Sequence, residues 1–136
     1  MLSPVTDPDG APFWRYAARG ELRVQECADC GELRFPPRPC CPHCQSFTSG
    51  WRLMSGQGRI WSYVVPHPPL LPAYAARAPY TVILVELADA PRVRIVGNLV
   101  DAPGGALGSV PADRVRIGAR VRVVFDGAGL PQWVTA

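Results

Sequence analysis

The sequence predicts a mainly β fold in three parts: a short N-terminal helix, a cysteine module closed around a metal ion, and a small five-stranded barrel or half-open sandwich. Three observations carry this expectation. All five cysteines of the 136-residue chain lie between Cys27 and Cys44. From Trp51 onward, short runs rich in β-branched and aromatic residues are separated by Gly, Pro and Asp, the pattern of strands and turns. Sixteen Pro and thirteen Gly favour many short elements over a helical bundle. The expected divisions are a helical segment over 1–24, the cysteine module over 25–50 and the barrel over 51–136.

"PFWRYAAR" (12–19) reads as the helix. Pro12 suits a first turn and Gly20 suits the position just past the end. Phe13 with Ala17, and Trp14 with Ala18, are i,i+4 pairs that give two apolar stripes. A helix this short is unstable alone in water, so it must dock on something.

Cys27 and Cys30 form one C-x2-C pair, and Cys41 and Cys44 form a second. Gly31 follows the first pair and Pro42 lies inside the other. Two such knuckles can aim four sulfurs at one centre, the tetrahedral arrangement that zinc takes at roughly 2.3 Å per thiolate; iron fits the same cage. Cysteines two apart in a tight turn are poorly placed for a relaxed disulfide, and an odd count argues against a disulfide framework. Cys40 is the extra thiol, expected to be dispensable, and the ring of His43 should point away. Four thiolates leave no open coordination position, so the site should be structural, stapling a stretch too short to build an apolar core.

"GRIWSYVV" (58–65), "YTVILVEL" (80–87), "RVRIVGNLV" (92–100), "ARVRVVFD" (119–126) and "LPQWVTA" (130–136) read as the strands. In the third, Val93, Ile95, Gly97 and Leu99 share one face, with Arg92, Arg94 and Asn98 on the other. The fourth sets Val121, Val123 and Phe125 against Arg120 and Arg122. One wet and one dry face over five short strands suits a small barrel, and Gly97 would permit the bend that closure demands. "PHPPLLPAYAARAP" (66–79) is too rich in Pro for regular structure, and 101–118 reads as a long crossover.

All fourteen basic residues are Arg, which excludes a Schiff-base or P-loop lysine. The formal charge is +3; four thiolates and one divalent ion would lower it by two, so a nucleic-acid-seeking surface has weak support. No apolar run reaches the roughly 18 residues of a membrane span, and the N-terminus lacks the pattern of a signal peptide; the expected compartment is the cytoplasm. No paired-carboxylate, Ser-His or Gly-rich phosphate signature is present, and His67 has no visible orienting partner, so no catalytic residue is expected.

The order of parts resembles the DUF35 family. The resemblance runs from about Phe13 to Trp133 through an "FW" helix, Cys27-Ala-Asp-Cys30-Gly31, Phe35-Pro36-Pro37-Arg38, Cys41-Pro42-His43-Cys44 and Arg116-Ile117-Gly118. It implies a rubredoxin-like zinc ribbon joined to a five-stranded OB-fold barrel, with one structural zinc per chain. It also implies a non-catalytic accessory subunit that binds a thiolase-like acyltransferase or aldolase and supports its acyl-CoA site.

Phe13, Trp14, Leu70, Leu71 and Tyr74 are apolar groups that a barrel this small cannot obviously cover, and they are the expected partner interface; the alternative is that helix and insertion fold back over their own chain. Arg92, Arg94, Arg120 and Arg122 could meet the phosphates of coenzyme A, or simply solvate a strand face. The competing functional reading is a single-stranded nucleic-acid module, in which those arginines form a patch while Trp61 and Tyr63 stack on bases.

Overall fold

Pro12 occupies the first turn of α1 (Ala11–Ala17), where its missing N–H costs nothing. Gly20 ends the helix with a φ of 75°, and the Gly20 and Glu21 amides donate back to the Ala17 and Tyr16 carbonyls. The structure, a computed structural model, describes residues 2–136.

Three strands follow. β1 (Arg23–Cys27), β2 (Leu33–Arg34) and β3 (Ser49–Leu53) form an antiparallel sheet in the order β2-β1-β3. β3 is an unexpected strand. It pairs along all of β1, from Arg23–Leu53 to Cys27–Ser49, and so crosses position 50, where the sequence divides the two modules. Five further strands, β4 (Gln57–Val64), β5 (Val82–Leu87), β6 (Ala90–Asn98), β7 (Arg120–Phe125) and β8 (Pro131–Thr135), form a second antiparallel sheet in the order β6-β5-β4-β7-β8. Its two edges meet at an isolated parallel bridge between Leu99 and Trp133, where the Val100 amide donates to the Trp133 carbonyl at 2.9 Å. This is the mainly β arrangement expected, with the five strands in place.

Alternation places the core. Val93, Ile95 and Leu99 are buried while Arg92 and Arg94 are exposed, and Val121 is buried beside exposed Arg120 and Arg122. The expected dry face of β7 is only partly sealed, since Val123 and Phe125 are half-buried. On its opposite face Val124 is buried with Val100 and Val134 in a small second core, because the chain leaving β6 folds back over that end. Gly97 makes room for a neighbour: a Cβ there would lie 2.7 Å from Cδ1 and Nε1 of the Trp133 indole.

The insertion over 66–79 contains one helical turn, α2 (Pro72–Ala75), and the crossover contains a 3-10 turn at Ala112–Arg114, so neither is wholly irregular. Asp126 closes the β7–β8 hairpin, its Oδ1 accepting from the Ala128 and Leu130 amides at 2.9 Å each.

One principal core runs through both sheets. Phe13 of α1, Leu22 and Val24 of the first module, Met54 of the connection and Ile60, Val85 and Trp133 of the second sheet belong to the same cluster. Phe13 is 5% exposed and packs on Phe35 with ring centres 5.3 Å apart. The expectation that Phe13 stays available to a partner is therefore corrected: a short helix needs a tertiary anchor, and Phe13 is that anchor. No helix among the described residues is long and apolar enough to cross a membrane.

Candidate functional site

The two knuckles are built alike. The Cys27 amide donates to the Glu32 carbonyl and the Gly31 amide to the Cys27 carbonyl. Fourteen residues on, the Cys41 amide donates to the Ser46 carbonyl and the Gln45 amide to the Cys41 carbonyl. Each loop turns on a left-handed residue placed directly after its second cysteine: Gly31 at φ 76° and Gln45 at φ 63°. Gly31 was legible because only glycine takes that conformation freely. Gln45 was not, being the one non-glycine residue with positive φ among those described. The Ser46 hydroxyl donates to the Asp29 carboxylate and so ties one knuckle to the other.

The Sγ atoms of Cys27, Cys30, Cys41 and Cys44 all lie within 4.8 Å of one another. The shortest separations are 3.5 Å for Cys27–Cys44 and 3.7 Å for Cys30–Cys41, and no cysteine is in a disulfide. A tetrahedron with metal–sulfur bonds of 2.3 Å has edges of about 3.8 Å, so the four residues fit a metal ion. Cys40 stays outside the cluster with its thiol against the Cys41 carbonyl, and His43 is exposed.

The thiols divide by position. Cys27 and Cys41, first in each knuckle, are pulled down by the amides of Cys30 and Cys44 respectively, Cys27 to about 6. Cys30 and Cys44, second in each, also feel a downward pull, from the Glu32 and Ser46 amides. Desolvation and the neighbouring sulfurs outweigh it, pushing Cys44 up to about 12. Cys27 and Cys41 are thus the readier of the four to ionise, and a bound cation is what would bring all four to thiolate.

A buried network spans the loop between the knuckles. Gln25 Oε1 accepts from Arg34 Nε at 2.9 Å and from the Arg38 amide at 2.8 Å. Arg34 Nη2 donates to the Arg38 carbonyl, and Gln25 Nε2 donates to Ser49 Oγ. The "FPPR" segment is thereby pinned to β1.

The remaining candidates are dispersed. Trp14 is half-buried in a recess of about 130 Å³ formed with the N-terminal arm (Leu2, Ser3, Pro4) and the β7–β8 hairpin. Tyr74 is half-buried, its hydroxyl accepting from the Leu2 amide. Leu70 is also half-buried, whereas Leu71 is 62% exposed. Arg92 pairs with Glu32 at 3.5 Å, while Arg94 stacks 3.9 Å from the centre of the Trp61 ring. Arg120 faces Arg59 across the β4–β7 pair, and the two line a cleft of about 470 Å³ with Gln57 and Glu86. Arg59 had not been expected there; only strand register reveals it. Arg122 faces Gln57. A bulge between Ile60 and Ser62 sets Tyr63 opposite Ile83, on the other face of the sheet from Trp61 although it is 38% exposed, so Trp61 and Tyr63 do not form one stacking platform. His67 is exposed with Nδ1 donating to the Val65 carbonyl at 2.9 Å.

Residues 14–49 match the family model of the ChsH2 rubredoxin-like zinc ribbon, and residues 51–126 match the ChsH2 C-terminal OB-fold domain. Among curated relatives, a probable enoyl-CoA hydratase alpha subunit of Thermomonospora curvata is 39% identical over 123 residues, covering 90% of this chain and 34% of that protein. A 3-oxo-4,17-pregnadiene-20-carboxyl-CoA hydratase alpha subunit of Mycobacterium tuberculosis is 36% identical, covering 98% and 38%. The chain thus spans little more than a third of those two proteins. A DUF35 domain-containing scaffold protein of Methanocaldococcus jannaschii is 35% identical, covering 82% of this chain and 73% of that one. A solved chain described as the Ltp2-ChsH2(DUF35) aldolase superposes with a TM-score of 0.81 at 36% identity, covering 98% of both chains.

Proposed function

On the premise that this chain belongs to the DUF35 family of ChsH2-type zinc-ribbon and OB-fold proteins, we propose that it is a non-catalytic accessory subunit. It binds a thiolase-like acyltransferase or aldolase and supports that enzyme's acyl-CoA site. The observation that carries the reading is the end-to-end similarity to a chain of the Ltp2-ChsH2(DUF35) aldolase. The hydratase alpha subunits among its relatives fit an acyl-CoA setting.

The metal in this proposal is one structural zinc held by Cys27, Cys30, Cys41 and Cys44. Their thiolates fill all four positions and leave none for substrate. Of the arginines considered for a coenzyme A phosphate, Arg120 is the best placed, because it shares an open cleft with Arg59. The same proposal includes helix, ribbon and barrel divided near residues 24 and 50, action in the cytoplasm, and Trp14 and Leu71 as accessory contacts.

The test is co-expression with a thiolase-like or aldolase subunit from the same organism. The two should co-purify, and the enzyme alone should bind or turn over its acyl-CoA poorly. His67→Ala should leave the complex's chemical step within about tenfold, since loss of a true general base typically costs 10²–10⁴-fold. A partner that works equally well alone would overturn the reading.

A further inference from the structure

At β5 the outer face of the second sheet departs from apolar–polar alternation. β5 is apolar on both sides: Ile83, Val85 and Leu87 point into the core, while Val82 and Leu84 point outward. Register sets Leu84 beside Ser62 and Val96, and Val82 beside Val64 and Asn98. Val96 is 62% exposed, Val64 60% and Trp61 47%, the last thrown outward at the bulge. A strand apolar on both faces is one that is covered on both faces, and contiguous exposed apolar surface marks an interaction site. In this chain the inner face of β5 is buried, whereas the outer face, with Val82 and Leu84 half-buried, is only partly covered.

One edge of this apolar area carries a row of charges across four strands. Arg120 faces Arg59, Arg59 faces Glu86, and Glu86 faces Arg94. Three arginines stand against one glutamate. A second copy docked face to face would bring arginine against arginine, which opposes self-association. Nucleic acid would use the cations, but it needs successive aromatic platforms. Here the bulge leaves Trp61 as the outward aromatic on β4, with aliphatic Leu84 and Val96 beside it.

We infer that this face is where the partner enzyme docks. The partner's complementary surface is an apolar hollow that takes Trp61 and Val96, rimmed by carboxylates that meet Arg94. The inference rests on the accessory-subunit reading and names the surface which that reading leaves open.

The experiment uses the full chain and the enzyme subunit that co-purifies with it, with affinity measured by titration calorimetry. Val96→Asp and Trp61→Ala should each raise Kd roughly 30-fold or more, the scale of a buried interface anchor. Arg94→Glu should slow association and flatten its salt dependence. All three should retain zinc and their melting temperature, because the residues are exposed. If the wild-type pair forms no complex, the accessory reading and this surface fall together. If the pair forms but is indifferent to Val96→Asp and Trp61→Ala, this surface alone is wrong. Tight binding of a labelled oligothymidylate, lost in Trp61→Ala, would make the face a nucleic-acid platform and overturn the docking proposal.

Discussion

The tip of the ribbon and the five-stranded sheet keep their shapes by different means. At the tip, most residues from Ala28 to Gly31 and from Pro42 to Phe47 are exposed; four sulfurs and a set of short hydrogen bonds define the conformation. In the sheet, Ile83, Val85, Leu87, Val121 and Trp133 are shut away from solvent, and burial of apolar area supplies the driving force. A metal contributes its free energy at one point, whereas a core spreads it over many side chains. Failure should therefore be all-or-none in one region and graded in the other.

Cys30→Ser or Cys44→Ser should give the largest effect. Metal binding to such a site is worth about 10–16 kcal/mol, so either change should abolish zinc and unfold the tip. Hydrogen exchange should then show the Cys41 and Gln45 amides unprotected while those of Ile83 and Val85 stay slow. If the sheet amides open together with the tip, the two regions are one cooperative unit. Cys40→Ser should leave metal content unchanged; loss of zinc there, with retention in Cys41→Ser, would reverse the choice of ligands.

Gln25→Ala tests the region between. It strips the acceptor from Arg34, which is 4% exposed, and from the Arg38 amide. Buried donors left unpaired cost about 1–3 kcal/mol each, so denaturation should show a loss of about 3 kcal/mol. Gly97→Ala probes the sheet. Its methyl would press on the Trp133 indole, and overpacking typically costs about 1–3 kcal/mol, with zinc content untouched. The smallest effect is expected at the second knuckle. Gln45→Gly relieves a left-handed non-glycine residue and should stabilise by about 0.5–1 kcal/mol, part of the relief being offset by the freer unfolded chain. Destabilisation there would show that the Gln45 side chain matters more than its backbone.

What was legible in the sequence divides along a similar line. The metal ligands could be read because ligand spacing within a knuckle is a local property. The strands could be read because alternation is local too. The fate of Phe13 could not, since its cover comes from Phe35 and from strands far along the chain. Nor could the side on which Tyr63 lies, because one bulged residue reverses the alternation beyond it. β3 was hidden by "SGWRL", whose pairing partner β1 supplies what its own composition lacks. The outer face of β5 was in plain view: "VILVEL" hardly alternates, and an unbroken apolar run implies cover on both sides.

The joint between the two sheets has a mechanical meaning. Three residues separate β3 from β4, the Met54 amide is bonded to the Leu22 carbonyl, and Leu22, Val24 and Met54 sit in the same core as Ile60 and Trp133. A connection so short and so thoroughly packed has no room to swivel. The ribbon is then an arm held at one angle to the sheet by that shared core, and it carries Phe47, 77% exposed, just past the second knuckle. Whatever grips the sheet also decides, at a distance, where that arm points.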